Sequence, residues 1–192
     1  MPKTQAVKLN TLGYALLGIL ARGDGSGYDL TQGLKDPVAF FWHAQHSQIY
    51  PELAKLEASG LVRHTLIEQS ERPDKKVYSL TARGKKTLKT WLEAATDVPK
   101  HRDELVLKAY TIWLSDPNAA AQLMRDHAQA HAERLRDFEG RLERLHGKAG
   151  SAAIRLDSPW FGILAVLKRG IGFEREYLEW CEWMLGCFNH AE

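Results

Sequence analysis

In the segment HSQIYPELAKLEASG, Ser47, Pro51, Ala54 and Ala58 share one side of a helix-spaced pattern, flanked by Gln48, Tyr50 and Lys55. Small and hydrogen-bonding side chains in such a row can approach base edges in a DNA groove closely. At about 100° per residue, Ile49, Leu53 and Leu56 lie within roughly 60° of one another and form the opposite, core-facing line. A merely solvated face would carry more charge. Pro51 breaks a local rule, because in a regular helix interior it removes an amide donor at a cost of roughly 3 kcal/mol. The helix therefore starts near Tyr50, or its first turn is bent. In either case the ring points outward, and the outcomes are contact with a thymine methyl or the sugar edge, or a simple kink.

Gly60 stops this helix through its tolerance for a left-handed backbone, and Leu61 opens a stretch that turns at 70–74 and returns over 75–80. Arg72, Lys75 and Lys76 cluster at or beside the tip of that hairpin. A hairpin lying along a minor groove or phosphate backbone needs positive charge there, and a charged turn that keeps a sheet edge soluble would look the same. Helix, stop and charged hairpin, in that order, build a winged helix-turn-helix. The order points to a reader of double-stranded DNA.

The elements that must hold this helix in place are legible upstream and downstream of it. Residues 8–21 carry Leu12, Ala15, Leu16, Ile19 and Leu20 at helical spacing, ended by the glycines of RGDGSG. A second helix over 27–34 enters through Ser26 and closes before Asp36-Pro37, and Phe40, Phe41 and Trp42 follow as an apolar knot. Thr81 is the expected N-cap of a helix carrying Lys85, Lys86, Leu88, Trp91 and Leu92. TDVPKH then marks a boundary, giving a DNA-binding domain over 1–95 and a helical domain over 96–192.

In the second half, Asp116-Pro117 and Ser158-Pro159 each put a capping side chain ahead of a proline at the first helical position. Three helices are expected, over 102–115, 117–146 and 159–188, the first burying Val106, Ala109, Tyr110 and Trp113. In the second, Ala128, His131, Leu135, Phe138, Leu142 and Leu145 alternate three and four apart, the spacing of a coiled-coil seam. Trp160, Leu164, Leu167, Ile171, Glu174, Leu178, Cys181, Leu185 and Phe188 do so in the third. Helices of about 30 residues span about 45 Å, so these stripes are expected to pack on each other and on a second subunit, making a homodimer. The alternative is an intramolecular hairpin that buries both seams. Glu174 inside the seam either pairs with an arginine across the interface or lies at a solvated gap.

The 192 residues are 44% hydrophobic and 26% charged, ordinary for a globular protein of one large or two small domains. Residues 1–95 hold 13 Lys and Arg against 9 Asp and Glu, a balance of +4, whereas 96–192 hold 13 against 15, a balance of −2. DNA contact therefore belongs to the first half. No apolar run is long enough to span a membrane and MPKTQAVKLN is no signal peptide, so a cytoplasmic location is expected. Cys181 and Cys187 suit neither a CxxC motif nor a disulfide framework and read as buried thiols. His127 and His131 lie four apart on one helix, but nearby partners for a metal are absent. No nucleophile elbow, phosphate-binding glycine loop or paired-acid motif occurs, so neither an enzyme nor a metal or cofactor is expected.

LGYALLGILARGDGSGYDLTQGL, FWHAQHSQIYPELAKLEASGLV and KKVYSLTARGKKTLKTWL together resemble the PadR family of bacterial transcriptional regulators. DELVLKAY resembles the start of that family's helical dimerisation domain, and with HSQIYPEL it is similar to the phenolic-acid-responsive repressor branch. The resemblance implies a mainly α fold with a small β-hairpin wing, an N-terminal winged helix-turn-helix and a C-terminal long-helix dimerisation and effector-response domain. It also implies a homodimeric repressor that sits on a palindromic operator and leaves when an aromatic carboxylic acid binds. Such an acid needs apolar walls for its ring and a cation or donors for its carboxylate. These requirements point to Tyr28, Trp42 and His46 where they meet the second half, at Trp160, Phe161 and Lys168. Two other readings stand beside this one: a regulator of the same fold that answers to a partner or to dimer level, and a winged-helix module that binds protein.

Overall fold

A computed structural model describes residues 9–35, 46–68, 74–99 and 102–189 of the chain. The chain divides into two compact units, Met1–Thr96 and Asp97–Glu192. Phe40, Phe41, Trp42 and Arg72 lie outside the described residues, as does the side chain of His46.

The first unit runs α1 (Thr11–Leu20), β1 (Gly25–Ser26), α2 (Gly27–Lys35), α3 (His46–Ala58), β2 (Val62–Ile67), β3 (Lys75–Leu80) and α4 (Ala82–Leu92). It is a winged helix-turn-helix. Asn10 caps α1 by accepting from the Gly13 amide at 2.8 Å. Leu12, Leu16, Leu17 and Leu20 of α1 meet Leu30 and Leu34 of α2 and Ile49, Leu53 and Leu56 of α3 in one apolar core. α3 begins at His46, so Pro51 sits inside it; the amide that would have paired with the Ser47 carbonyl is missing. The helix ends in a Schellman turn. Gly60 has φ +67°, the Gly60 amide donates to Glu57 O at 2.8 Å and the Leu61 amide to Leu56 O at 2.9 Å.

The sheet has the order β1-β3-β2, with β3 antiparallel to both neighbours. His64 stands opposite Tyr78 and Leu66 opposite Lys76. β1 adds to the sequence reading, in which the glycines of RGDGSG only end the first helix: Gly25 and Ser26 pair with Tyr78 and Val77. Two residues among glycines carry no alternation to read, and only the approach of β3 makes them a strand. Thr81 caps α4 as expected, accepting from the Gly84 amide at 3.0 Å. Tyr14 stacks on Trp91 with ring centroids 4.6 Å apart, fastening α4 to α1.

The second unit runs α5 (Glu104–Ala109), a short 3-10 turn (Ile112–Leu114), α6 (Pro117–Ala149), a second 3-10 segment (Gly150–Ile154) and α7 (Pro159–Asn189). Asp116 caps α6 by accepting from the Ala119 amide at 2.9 Å. α6 and α7 pack antiparallel, since His131 meets Glu174 and the Phe138 ring lies over Gly170, where a Cβ would come within 3.0 Å of it.

Single-chain packing differs from the sequence expectation in two respects. Phe138, Leu164, Leu167, Ile171 and Cys181 are buried inside this hairpin, while Leu135, Leu142, Leu178 and Leu185 are half-buried. A heptad stripe records that a helix is covered, not whether the cover belongs to the same chain. The other difference is α5, which is shorter than expected and buries Leu105, leaving Val106, Tyr110 and Trp113 exposed and Ala109 half-buried. Among the described residues, no helix is long and apolar enough to cross a membrane.

Candidate nucleic-acid interface

The outer side of α3 carries Ser47, Gln48, Tyr50, Pro51, Ala54, Lys55 and Ala58, all exposed. Behind it, Ile49, Leu53 and Leu56 are at most 1% exposed, so the helix can turn neither face without opening the core. Ser47, Gln48, Pro51 and Lys55 line an open groove of about 450 Å³ together with Glu52 and with Asn10, Thr11 and Leu12 of α1. The structure thus gathers four of the sequence-named residues at one concavity.

Three neighbours fix α3 in place through side chains that the apolar pattern does not reveal. Glu52, 4% exposed, accepts from Asn10 Nδ2 at 3.1 Å, tying α3 to the cap of α1. Glu57 pairs with His64 Nδ1 of β2. The Tyr50 ring lies against Gly27 at the start of α2, where a Cβ would come within 2.5 Å of Tyr50 Cε1. The signal for Glu52 was its position, three residues after Ile49 and four before Leu56, inside the buried arc.

In the hairpin, Lys75 and Lys76 have different roles. Lys75 Nζ lies 3.2 Å from Asp29 Oδ2, in the first turn of α2. Asp29 also accepts from the Ser26 hydroxyl and amide at 2.7 and 2.9 Å, and Ser26 Oγ accepts from the Asp29 amide in return, a capping box that closes the start of α2. These bonds, from Ser26 above all and with Lys75 contributing, hold the Asp29 carboxyl below the usual carboxylate range. Lys75 therefore ties the tip end of the hairpin to α2, while Lys76 is exposed.

The residues named for an aromatic acid fall on both units. Tyr28 is 63% exposed on α2. On α7, Trp160 is 36% exposed, Phe161 is half-buried and Lys168 is exposed.

The second unit also holds a polar chain that sequence reading divides among unrelated residues. His131, 4% exposed, bonds through Nδ1 to Glu174 Oε2 at 2.5 Å, and Glu174 is fully buried. Its partner is thus a histidine of the same chain, with Arg134 3.6 Å from Oε1. Tyr177 stacks on His131 at 4.1 Å and donates its hydroxyl to Asp103 Oδ2 at 2.6 Å. Burial, and then Asp103, push the Tyr177 hydroxyl far up, so it stays protonated. Asp103 in turn caps α5, accepting from the Leu105 and Val106 amides at 2.9 and 3.1 Å. Among the described residues, no group of three or more His, Cys, Asp or Glu could hold a metal.

Residues 16–90 match the family described as transcriptional regulator PadR-like, and residues 101–188 match the family described as virulence activator alpha C-term. The negative transcriptional regulator PadR of Bacillus subtilis (strain 168) is 38% identical over 182 residues, 94% of this chain and 99% of that one. The crystal structure of Bacillus subtilis PadR in complex with operator DNA superposes with a TM-score of 0.84 at 36% identity, covering 93% of this chain and 99% of the other. A structure of the same protein in complex with p-coumaric acid gives 0.77 at 35% identity, covering 94% and 99%.

Proposed function

Because the chain belongs to the PadR-like family of transcriptional regulators, we propose that it is a homodimeric repressor, seated on a palindromic operator and released by a small aromatic carboxylic acid. One observation carries the reading above the others. The outer side of α3 is an exposed row without a single acid, on a helix that contacts to α1, α2 and β2 fix in place. Ser47, Gln48, Tyr50, Pro51 and Lys55 then face base edges, and Arg72 and Lys76 approach phosphates, with Lys75 holding the hairpin at its angle.

Two such helices must enter successive major grooves about 34 Å apart, which requires two copies. The exposed apolar side chains of the second unit support self-association. Leu107, Tyr110, Trp113, Leu114 and Trp183 are each at least 62% exposed, and Leu135, Leu142, Leu178 and Leu185 keep part of their surface. On α7, Trp160 and Phe161 offer apolar walls and Lys168 a cation for an aromatic carboxylate. The relative's complexes with operator DNA and with p-coumaric acid support both parts of the reading.

Selection from a random-sequence duplex pool should enrich a palindrome whose half-sites lie about one helical turn, or a multiple of it, apart. Adding p-coumaric acid should then lower affinity for that duplex by roughly 5- to 150-fold, the range of ordinary allosteric coupling, with a saturable change in tryptophan fluorescence. No saturable change across a panel of benzoates and cinnamates leaves a DNA-binding regulator without a small-molecule effector. No enrichment at all removes the DNA reading.

A further inference from the structure

The reading helix has one carboxylate among its buried side chains, and that group is also a wall of the groove. Glu52 is 4% exposed, and its Oε2 lies 3.3 Å from Lys55 Nζ while accepting from Asn10 Nδ2 at 3.1 Å. Its other oxygen faces Gly13, where a Cβ would come within 3.0 Å of it, so the carboxylate is held between α1 and α3 with little room to swing. The lysine differs. Its side chain is 69% exposed, against 5% for its partner.

Ion pairs between two exposed side chains hold each other loosely, because each end has water as an alternative. The Glu52 carboxylate has largely lost that alternative, and a dehydrated carboxylate is costly unless a cation or donors satisfy it. Lys55 is therefore drawn to a fixed point in the groove beside Ser47, Gln48 and Pro51. A free lysine is a compact charge on a flexible stem, suited to any phosphate within reach. A fixed one, with three donors of which Glu52 takes one, presents two to whatever occupies the groove.

We propose that Glu52 is a positioning residue for base recognition, its buried carboxylate holding the Lys55 ammonium toward base-edge acceptors and away from the phosphate backbone. The inference rests on the reading that α3 enters the major groove, where a lysine matches the O6 and N7 acceptors of guanine. Phosphate contacts raise affinity for every sequence alike and base-edge contacts separate sequences. Glu52 thus lowers the general attraction of the groove for a polyanion and raises discrimination.

The test compares wild type, Glu52→Gln, Lys55→Met and the double variant on two duplexes: the one that the wild type enriches from a random pool, and its scramble. Affinity is followed over a range of salt concentration. Lys55→Met should lose roughly 5- to 150-fold on the enriched duplex, the size of one good base contact, and leave the salt slope on the scramble unchanged. Glu52→Gln keeps the shape and an acceptor for Asn10 but frees the lysine, so the slope on the scramble should steepen by about 0.9, one phosphate contact. Preference for the enriched duplex should fall. The double variant should behave as Lys55→Met alone. Equal losses of Lys55→Met on both duplexes with a shallower slope would make Lys55 a phosphate contact and overturn the proposal, and that arm decides even if Glu52→Gln does not fold. A Glu52→Gln effect that persists without Lys55 overturns it as well. A wild type that enriches no duplex removes the DNA reading itself, a result distinct from either.

Discussion

At the residue scale, two glycines predict opposite signs for the same substitution. A Cβ on Gly84 would come within 2.1 Å of the Leu61 carbonyl oxygen and 2.7 Å of Leu80 Cδ1. The closer atom is backbone, so α4 must move. Gly84→Ala should destabilise the first unit by about 1–3 kcal/mol, lowering its calorimetric midpoint by at least about 4 °C. Gly147, in the last turn of α6, has no atom within 4 Å of its added Cβ, and Ala there should stabilise the second unit by about 0.4–1 kcal/mol. Asp103 gives a prediction in pH. Burial raises its pKa, but the Tyr177 hydroxyl, the Val106 and Leu105 amides and nearby His127 together outweigh burial and hold the carboxyl low. The folded state therefore binds its proton less readily than the unfolded chain. That contribution is complete above about pH 4, the ordinary aspartate range, and disappears as pH falls through the lower folded value. Urea midpoints of the second unit should decline more steeply below about pH 4 in wild type than in Asp103→Asn. Equal acid slopes would remove Asp103 from the account.

At the element scale, the polar ties between helices are what sequence periodicity conveys least. The apolar arcs of α1 and α3, the stop at Gly60, the hairpin and the cap at Thr81 are legible because each has a local cause: spacing, a left-handed glycine, alternation, a side-chain acceptor. β1 is not, since its pairing is decided by β3. Nor are the roles of Glu52 and Glu57, because an acid within an apolar stripe has no visible partner until a second element arrives. Glu174 illustrates the same limit. Its place in the seam is legible, but its partner His131 stands 43 residues away and reads as a poor metal ligand. This pair predicts a non-additive result. Removing His131 alone leaves the fully buried Glu174 carboxyl without its hydrogen-bond partner, with Arg134 3.6 Å from its other oxygen, so His131→Ala should cost about 1–3 kcal/mol in urea unfolding, the penalty of a buried polar group left unpaired. His131→Leu with Glu174→Leu should cost far less than either single change, because two apolar groups leave no buried polar group unpaired. Additive losses would show that the pair is not energetically coupled.

At the scale of the whole molecule, the proposed function puts DNA reading and self-association in different halves of the chain, and the charge balance runs the same way, +4 over 1–95 and −2 over 96–192. A palindromic site is read only if two copies hold their helices at a fixed spacing. Dimer variants must therefore be chosen so that they split the pair without melting the hairpin. Leu167 is 3% exposed inside the α6–α7 packing, so a glutamate there would unfold the unit that it is meant to test. Leu178 is half-buried and Trp113 is 76% exposed, which makes Leu178→Glu combined with Trp113→Glu the cleaner choice. Sedimentation of wild type should give twice the 21.7 kDa of one chain, and that of the double variant should give one chain with helical content kept. Affinity for the enriched palindrome should then fall toward that for scrambled duplex, because a single helix-turn-helix reads one half-site and loses the second set of contacts. A double variant that stays dimeric would move the interface to another face of the second unit. One that becomes monomeric yet keeps full preference for the palindrome would show that a single subunit carries the recognition.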